Sequence, residues 1–563
     1  MRIFGKRRLL FGIDKRGFIW YHFLKKPQEG IMKEIKELKF EEMTTRQKLG
    51  FVHTPLYHLN ACSAESVEYV KKLVKERSLG AIWIQWFDEP SRVEIVKEHI
   101  RSIREVADYP ILIVTDLESG IEEFQVGQHN AIGCTGSEEH AYAFGKCVGT
   151  RAREIGYDMV CNPILDIKRD GWSRSYGSDK HEIARLAAAE ARGMHDAGVL
   201  TMGKHYPSGE NDLGIDSHMA EPVSEQTEEE LIDYSLYAYI ELMKEGLLDA
   251  VMSAHHRFPK IDPNAPASLS KPVLDIIRRQ GFDGIIMTDA LCMMGIRAKY
   301  GRREAMGLAL AAGNDIPLYY GHEPIYDQES IYECYERGIF TDEDLDRAVK
   351  HILEAQHKAF VYRNTERSPL TEREIELAKA INEDSIHAIS DFDTVALPTD
   401  GKYYFALVAR NEVPATDVGA VAVDTFTNGW HFPMTISDRI KERFPNSEVI
   451  MLHEYPNSSQ ILRILNRSVD SDGVIFLTFS ECLAYTGDEH LTHRIISTIN
   501  AMQYTNRVKA LIHFGNPKVL EPLSHIPRIV LGGVSKESTL ACIDVLAGLR
   551  EARGVMTYDV NLK

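Results

Sequence analysis

The chain has 563 residues, is 44% hydrophobic and 26% charged, and carries a formal net charge of -18. That length exceeds one ordinary core, so two domains are expected, and the composition is globular rather than disordered or fibrous. The acidic balance argues against nucleic-acid or anionic-membrane partners, whose binding draws on excess Lys and Arg. The eight Cys form no CxxC pair and no regular spacing. They read as reduced thiols of a cytoplasmic protein, not as zinc ligands or a disulfide frame.

In chain order, residues 9–13 and 18–23 flank Asp14-Lys15-Arg16-Gly17, the pattern of a β-hairpin. This aromatic arm packs either on the body of the protein or on a second subunit of a homodimer; the sequence leaves both open. The basic start lacks an apolar h-region, which argues against a signal peptide. No run of about eighteen apolar residues suggests a membrane span.

A charged helical stretch is expected over 31–40. Apolar runs then read as buried strands at 50–53, 80–85, 110–115, 158–162, 199–204, 250–253, 284–288 and 315–319. Amphipathic helical patterns fill the gaps, at 63–76, 92–107, 140–155, 182–197, 228–245, 271–280 and 303–312. Alternation of this kind implies parallel strands joined by right-handed crossovers. Eight such strands over about 270 residues fit an α/β TIM barrel, with an open doubly wound sheet as the competing arrangement.

A helical connector follows, and strand-like runs resume at 403–409, 420–423, 448–452, 473–478, 510–514 and 528–531. They suggest a smaller doubly wound α/β sandwich without a dinucleotide fingerprint. The expected domains are an arm over 1–40, a barrel over 41–360, a helical linker over 361–390 and the sandwich over 391–563.

Polar groups gather where the barrel strands stop. The third strand ends in Thr115-Asp116-Leu117-Glu118-Ser119-Gly120. The fourth leads to Asp166 and Arg174, the fifth to Lys204-His205, the sixth to His255-His256, and the seventh, in GFDGIIMTDALCMMG, to Asp289. Carboxyl ends of barrel strands converge on one mouth. A mixed set of Asp116, Arg174, Lys204, His205 and Asp289 suits a polyhydroxylated neutral ligand. Taken singly, each residue has a plainer reading: Asp289 or Asp116 as a helix cap, Arg174 as a surface residue, Lys204 as an internal ion-pair partner. No metal-binding spacing supports a metal site.

The order T-D-x-E-x-G, P-I-L-D, R-S-Y-G-S-D, G-K-H-Y-P, D-S-H, V-M-S-A-H and F-D-G-I-I-M-T-D-A-L-x-M resembles glycoside hydrolase family 3, most of all its β-N-acetylglucosaminidase branch. Met43 to Gly50, Gly313-Asn314-Asp315 and the stretch from Phe514-Gly515-Asn516-Pro517 to Leu546 extend the resemblance over most of the chain. It implies a retaining exo-glycosidase acting on β-linked N-acetylglucosaminides or glucosides, with Asp289 as nucleophile. Asp116, Arg174, Lys204 and His205 would hold the sugar. No cofactor is implied, and the expected partner is a small oligosaccharide or glycoside.

The next loop departs from that branch's His-x-Asp dyad. In Pro207 to His218, Glu210-x-Asp212 overlays it and no His stands at its position. Three readings follow: Glu210 as a direct general acid tuned by Asp212; an acid from the second domain, with Glu481 as candidate; or impaired catalysis. A sugar-binding protein and a phosphorylase or transglycosidase on the same scaffold remain as alternatives.

Overall fold

A computed structural model of the chain describes residues 9–13, 19–23, 35–57, 63–85, 93–167, 174–209, 215–409, 431–480 and 490–562. The arm is a two-stranded antiparallel hairpin, β1 (Leu9–Ile13) and β2 (Ile19–Phe23). The expected helix over 31–40 is not formed in its described part. Residues 35–39 are irregular, and a short 3-10 turn, Phe40–Glu42, follows.

The expected first barrel strand, 50–53, is also corrected. Thr44 accepts from the Gln47 N–H at 3.2 Å while the Gln47 side chain accepts from the Thr44 N–H at 3.0 Å. This capping box starts a helix, Thr45–Phe51, which overrides the strand-like apolar run. The first barrel strand lies a few residues later, where Leu56 bridges Trp83 in parallel. From there the order is β3 (Ala81–Trp83), β4 (Leu112–Thr115), β5 (Met159–Val160), β6 (Leu200–Tyr206), β7 (Ala250–Ser253) and, past a short antiparallel hairpin of β8 (Arg257–Phe258) and β9 (Asp262–Pro266), β10 (Ile285–Thr288). Ile316 bridges Met287 as the eighth position. All barrel pairings are parallel, and the four residues of each of β4, β7 and β10 are buried. Buried apolar runs of this kind belong to a sheet covered on both faces.

The outer helices pack tightly. In the pair Glu138–Ile155 and Lys180–Ala197, a Cβ on Gly145 would lie 2.0 Å from the Glu190 carbonyl oxygen, so only glycine permits that approach.

The N-terminal ends of the strands carry a second charged system, well away from the mouth. Asp158, Asp249 and Asp315 are buried just before their strands. Each accepts a backbone N–H of a neighbouring strand: Ile113 at 2.8 Å, Thr201 at 2.9 Å and Ile286 at 2.8 Å. Helix Asp342–Asn364, 23 residues long, runs across this end of the barrel. It supplies Arg347 and His351 to Asp315, Lys358 to Asp249 and Arg363 to Asp158. Three buried carboxylates thus fix one helix to three strands.

The second domain is a six-stranded sheet in the order β11 (His387–Ser390), β16 (Arg528–Gly532), β15 (Val508–Gly515), β14 (Gly473–Ser480), β12 (Tyr403–Ala409), β13 (Glu448–His453). All pairs are parallel except β11 with β16. β11 falls within the stretch read as linker. It is a half-buried edge strand without an alternating pattern, so sequence periodicity does not mark it. The expected strand at 420–423 lies outside the described residues.

The C-terminal segment returns to the barrel. The Val555 N–H donates to the Cys134 carbonyl at 2.8 Å, the Ser178 N–H to the Thr557 carbonyl at 2.9 Å, and the Tyr558 hydroxyl to the Ser175 carbonyl at 2.8 Å. The sandwich therefore braces the loop that carries Arg174.

Removing a buried ion-pair partner leaves other charges uncompensated. Asp249→Ala deprives His195, Lys358 and the Thr201 N–H of their acceptor. It is expected to lower stability by about 3–5 kcal/mol, measured as a shift of the denaturant midpoint.

Candidate active site

Asp289 follows β10 directly, and its N–H donates to the Ser253 carbonyl at 2.8 Å, continuing the ladder to β7. Asp289 is half-buried as a residue at the end of its strand. One oxygen accepts the Ala290 N–H at 2.7 Å. Burial alone would raise its pKa. His205, His255 and His218 act against burial, and with the Ala290 N–H they bring it to about 2. The group that closes the seventh strand is therefore an ionised carboxylate on which three imidazoles act.

His205 comes from the end of β6. Its Nδ1 donates to Asp166 at 2.8 Å, its N–H donates to the same carboxylate at 3.2 Å, and its Nε2 lies 3.4 Å from Arg174. Asp166 is buried and fixes the ring. His255, from the end of β7, lies between the Ser268 hydroxyl at 2.8 Å and the Ala290 carbonyl at 3.0 Å. Burial lowers its pKa more than Asp289 raises it.

On the β4 side, Lys204 is buried and donates to both oxygens of Asp116, at 2.9 and 2.8 Å, with Glu118 at 3.1 Å. Arg174 grips Glu118 with two bonds of 2.6 Å. Burial would raise the Glu118 pKa, but Arg174 and Lys204 hold it well below the usual carboxylate range. For Lys204 the order is the reverse: burial would lower its pKa, and Asp116 with Glu118 drives it up. The plain reading of Lys204 as an ion-pair partner therefore holds. It also has a consequence for binding, because Lys204 is 1% exposed while its partner Asp116 is 31% exposed. The lysine fixes the carboxylate, and the carboxylate faces the mouth.

Behind this cluster lies a second buried layer. Glu190, on helix Lys180–Ala197, accepts from Tyr176 at 2.5 Å and from Asn162 at 2.9 Å, and pairs with His129 at 3.3 Å. His129 Nδ1 in turn reaches the Glu118 carbonyl at 3.1 Å. Burial disfavours the His129 cation, but Glu190 outweighs it and raises its pKa. Glu190 was not among the sequence candidates, because a lone Glu within a helix pattern carries no local signal of burial.

The structure thus brings together Asp289, Asp116, Arg174, Lys204 and His205. Glu210, Asp212 and Glu481 lie outside the described residues. Sequence reasoning missed a pair that the structure adds to the group. In the turn after β6, the His218 Nδ1 donates to Asp216 at 2.7 Å, and the Asp216 side chain is 5% exposed while His218 is 22% exposed. His218 is one of the three imidazoles acting on Asp289. The signal is present as Asp216-Ser217-His218, one link of the resemblance, but Glu210-x-Asp212 overlays the dyad position and hides it. Among the described residues, no group of three or more His, Cys, Asp or Glu is arranged to hold a metal ion. No described helix is long and apolar enough to cross a membrane.

Residues 44–355 match the glycosyl hydrolase family 3 N-terminal domain. A beta-hexosaminidase of Tolumonas auensis is 33% identical over 232 residues, 39% of this chain and 69% of that protein. Among solved structures, a glycoside hydrolase family 3 beta-N-acetylglucosaminidase from Paenibacillus sp. str. FPU-7 has a TM-score of 0.75 at 24% identity, covering 92% of this chain and 100% of that one. A beta-glucoside phosphorylase has a TM-score of 0.74 at 21% identity, with 93% and 95% covered. Both superpose over barrel and sandwich together.

His205 leads the groups that oppose burial at Asp289, and His205→Gln removes it while keeping a polar side chain. The pKa of Asp289 is then expected to rise from about 2 toward the ordinary ~3.9. Carboxyl-carbon NMR across an acid titration checks the shift.

Proposed function

The chain belongs to glycosyl hydrolase family 3 and is a glycoside hydrolase, and within that family we propose that it is a retaining exo-acting enzyme on β-linked sugars, with N-acetylglucosaminides or glucosides as substrates. The observation that carries this reading is the ionised Asp289 within the electrostatic reach of an imidazole, His218, that is itself held by a carboxylate. That arrangement supplies a nucleophile and a proton donor within one pocket.

In the first step Asp289 attacks the anomeric carbon. His218 gives its proton to the glycosidic oxygen, so the aglycone leaves as a neutral alcohol. Asp216, accepting from Nδ1 at 2.7 Å, fixes the tautomer that leaves Nε2 as the nitrogen for proton transfer. In the second step His218 takes a proton from water, the oxygen attacks the same carbon, and Asp289 departs. Two displacements restore the starting configuration. Asp116, Arg174, Lys204 and His205 hold the sugar hydroxyls, directly or through one another. Their contacts strengthen as positive charge develops on the ring. The β-hexosaminidase name of the relative supports the N-acetylglucosaminide reading.

A second reading is favoured by one feature of the same site. An imidazole, unlike a carboxylate, does not repel an anionic acceptor. Phosphate in place of water would yield a sugar 1-phosphate from the same covalent intermediate, the chemistry named for the beta-glucoside phosphorylase neighbour.

Asp289→Asn is expected to reduce release of nitrophenol from aryl β-glycosides by roughly 10⁴-fold or more; undiminished turnover would refute the nucleophile. His218→Ala should cost ~10²–10⁴-fold on substrates with poor leaving groups and much less on activated ones. A panel of aryl β-glucosides and β-N-acetylglucosaminides, run with and without phosphate and resolved by product, distinguishes hydrolysis from phosphorolysis and fixes the sugar.

A further inference from the structure

The segment that carries Asp289 also anchors the turn that carries His218. Beyond Asp289 the chain is tied to the barrel: the Ala290 carbonyl lies 3.0 Å from His255 Nε2, and the Leu291 N–H donates to the Leu318 carbonyl at 2.9 Å. The Met294 N–H then donates to the carbonyl of His218 at 3.0 Å.

The next residue is Gly295. A Cβ there would lie 2.9 Å from the Ala220 carbonyl oxygen, 3.2 Å from its carbonyl carbon and 3.3 Å from the Ser217 carbonyl oxygen. These atoms are the backbone of the dyad turn itself. That turn is internally fixed: the Met219 and Ala220 N–H groups donate to the Asp216 carbonyl at 3.0 and 3.1 Å, and the His218 N–H donates to the Asp216 side chain at 2.9 Å. It moves as a unit.

Its far end is held separately. The Ser224 N–H donates to the Arg257 carbonyl at 2.9 Å, and the Arg257 N–H donates to the Pro222 carbonyl at 2.8 Å.

Backbone conformation does not explain a glycine at 295. It lies inside the short helix Met294–Arg297, where alanine is the better helix former. What remains is the close approach, which only a residue without a Cβ allows.

We propose that Gly295 is a positioning residue for the acid/base chemistry: it lets the segment after the nucleophile seat against the 216–220 turn, and so sets the separation of the His218 imidazole from the Asp289 carboxylate. The inference rests on His218 acting as acid/base, as argued above. Nucleophile and proton donor are then spaced by one stretch of backbone rather than by two independent loops. A displacement of a few tenths of an ångström in the turn degrades proton transfer while leaving the nucleophile and the sugar contacts in place.

The test is Gly295→Ala in the full chain, with kcat/KM measured on two aryl β-glycosides of the preferred sugar. A dinitrophenyl glycoside needs no proton for its leaving group, whereas a methoxyphenyl glycoside does. The expected result is a ~10–100-fold loss on the methoxyphenyl substrate with little change on the dinitrophenyl one. The melting temperature is expected to fall by only a few degrees, because the turn yields locally rather than unfolding the barrel. Gly295→Ser, which adds a Cβ in the same place, must reproduce the pattern. Equal losses on both substrates, or no loss on either, overturn the proposal. His218→Ala is measured alongside: a leaving-group dependence there with none in Gly295→Ala sinks the positioning role alone, whereas its absence in His218→Ala sinks the acid/base reading on which the inference stands.

Discussion

A carboxylate kept ionised in a confined place is the constraint on which the site depends. Burial alone would raise the pKa of Asp289, and three imidazoles with the Ala290 N–H reverse the sign. Each imidazole is itself fixed: His205 by Asp166, His218 by Asp216, and His255 between Ser268 and the Ala290 carbonyl. The charge that would carry the chemistry is thus held by partners that are also held, which is how a site keeps its geometry without reorganising.

The barrel supplies that arrangement through its topology. Parallel strands bring the ends of β4, β6, β7 and β10 to one mouth, although their residues are far apart in sequence. The opposite end is fixed by different charges, with helix Asp342–Asn364 holding three buried carboxylates. One end of the barrel thus serves stability, and the other is left for binding and the proposed chemistry. The sandwich contributes through Thr557 and Tyr558, which brace the loop carrying Arg174.

Lys204 shows how one residue serves two ends. As an ion-pair partner it neutralises Asp116 and Glu118 in a buried setting, and by the same bonds it aims the half-open Asp116 at the mouth. A structural and a functional account of such a residue do not compete, because pairing is what permits a carboxylate to stand ready at the mouth of a pocket.

The sequence by itself determined the alternation of strands and helices, the barrel followed by a smaller sandwich, and the polar residues at the strand ends. These follow from periodicity and from local composition, which act over a few residues. It did not locate the first strand, since a capping box at Thr44 outweighed an apolar run, nor the edge strand β11, which has no alternating pattern. Only the tertiary structure decided which polar residues meet. Asp216 and His218 were legible as letters but not as partners of Asp289, and Glu190 looked like any helix residue until burial set it behind Glu118. Pairing across a barrel depends on distances in space between segments remote in the chain, and no local pattern encodes those distances.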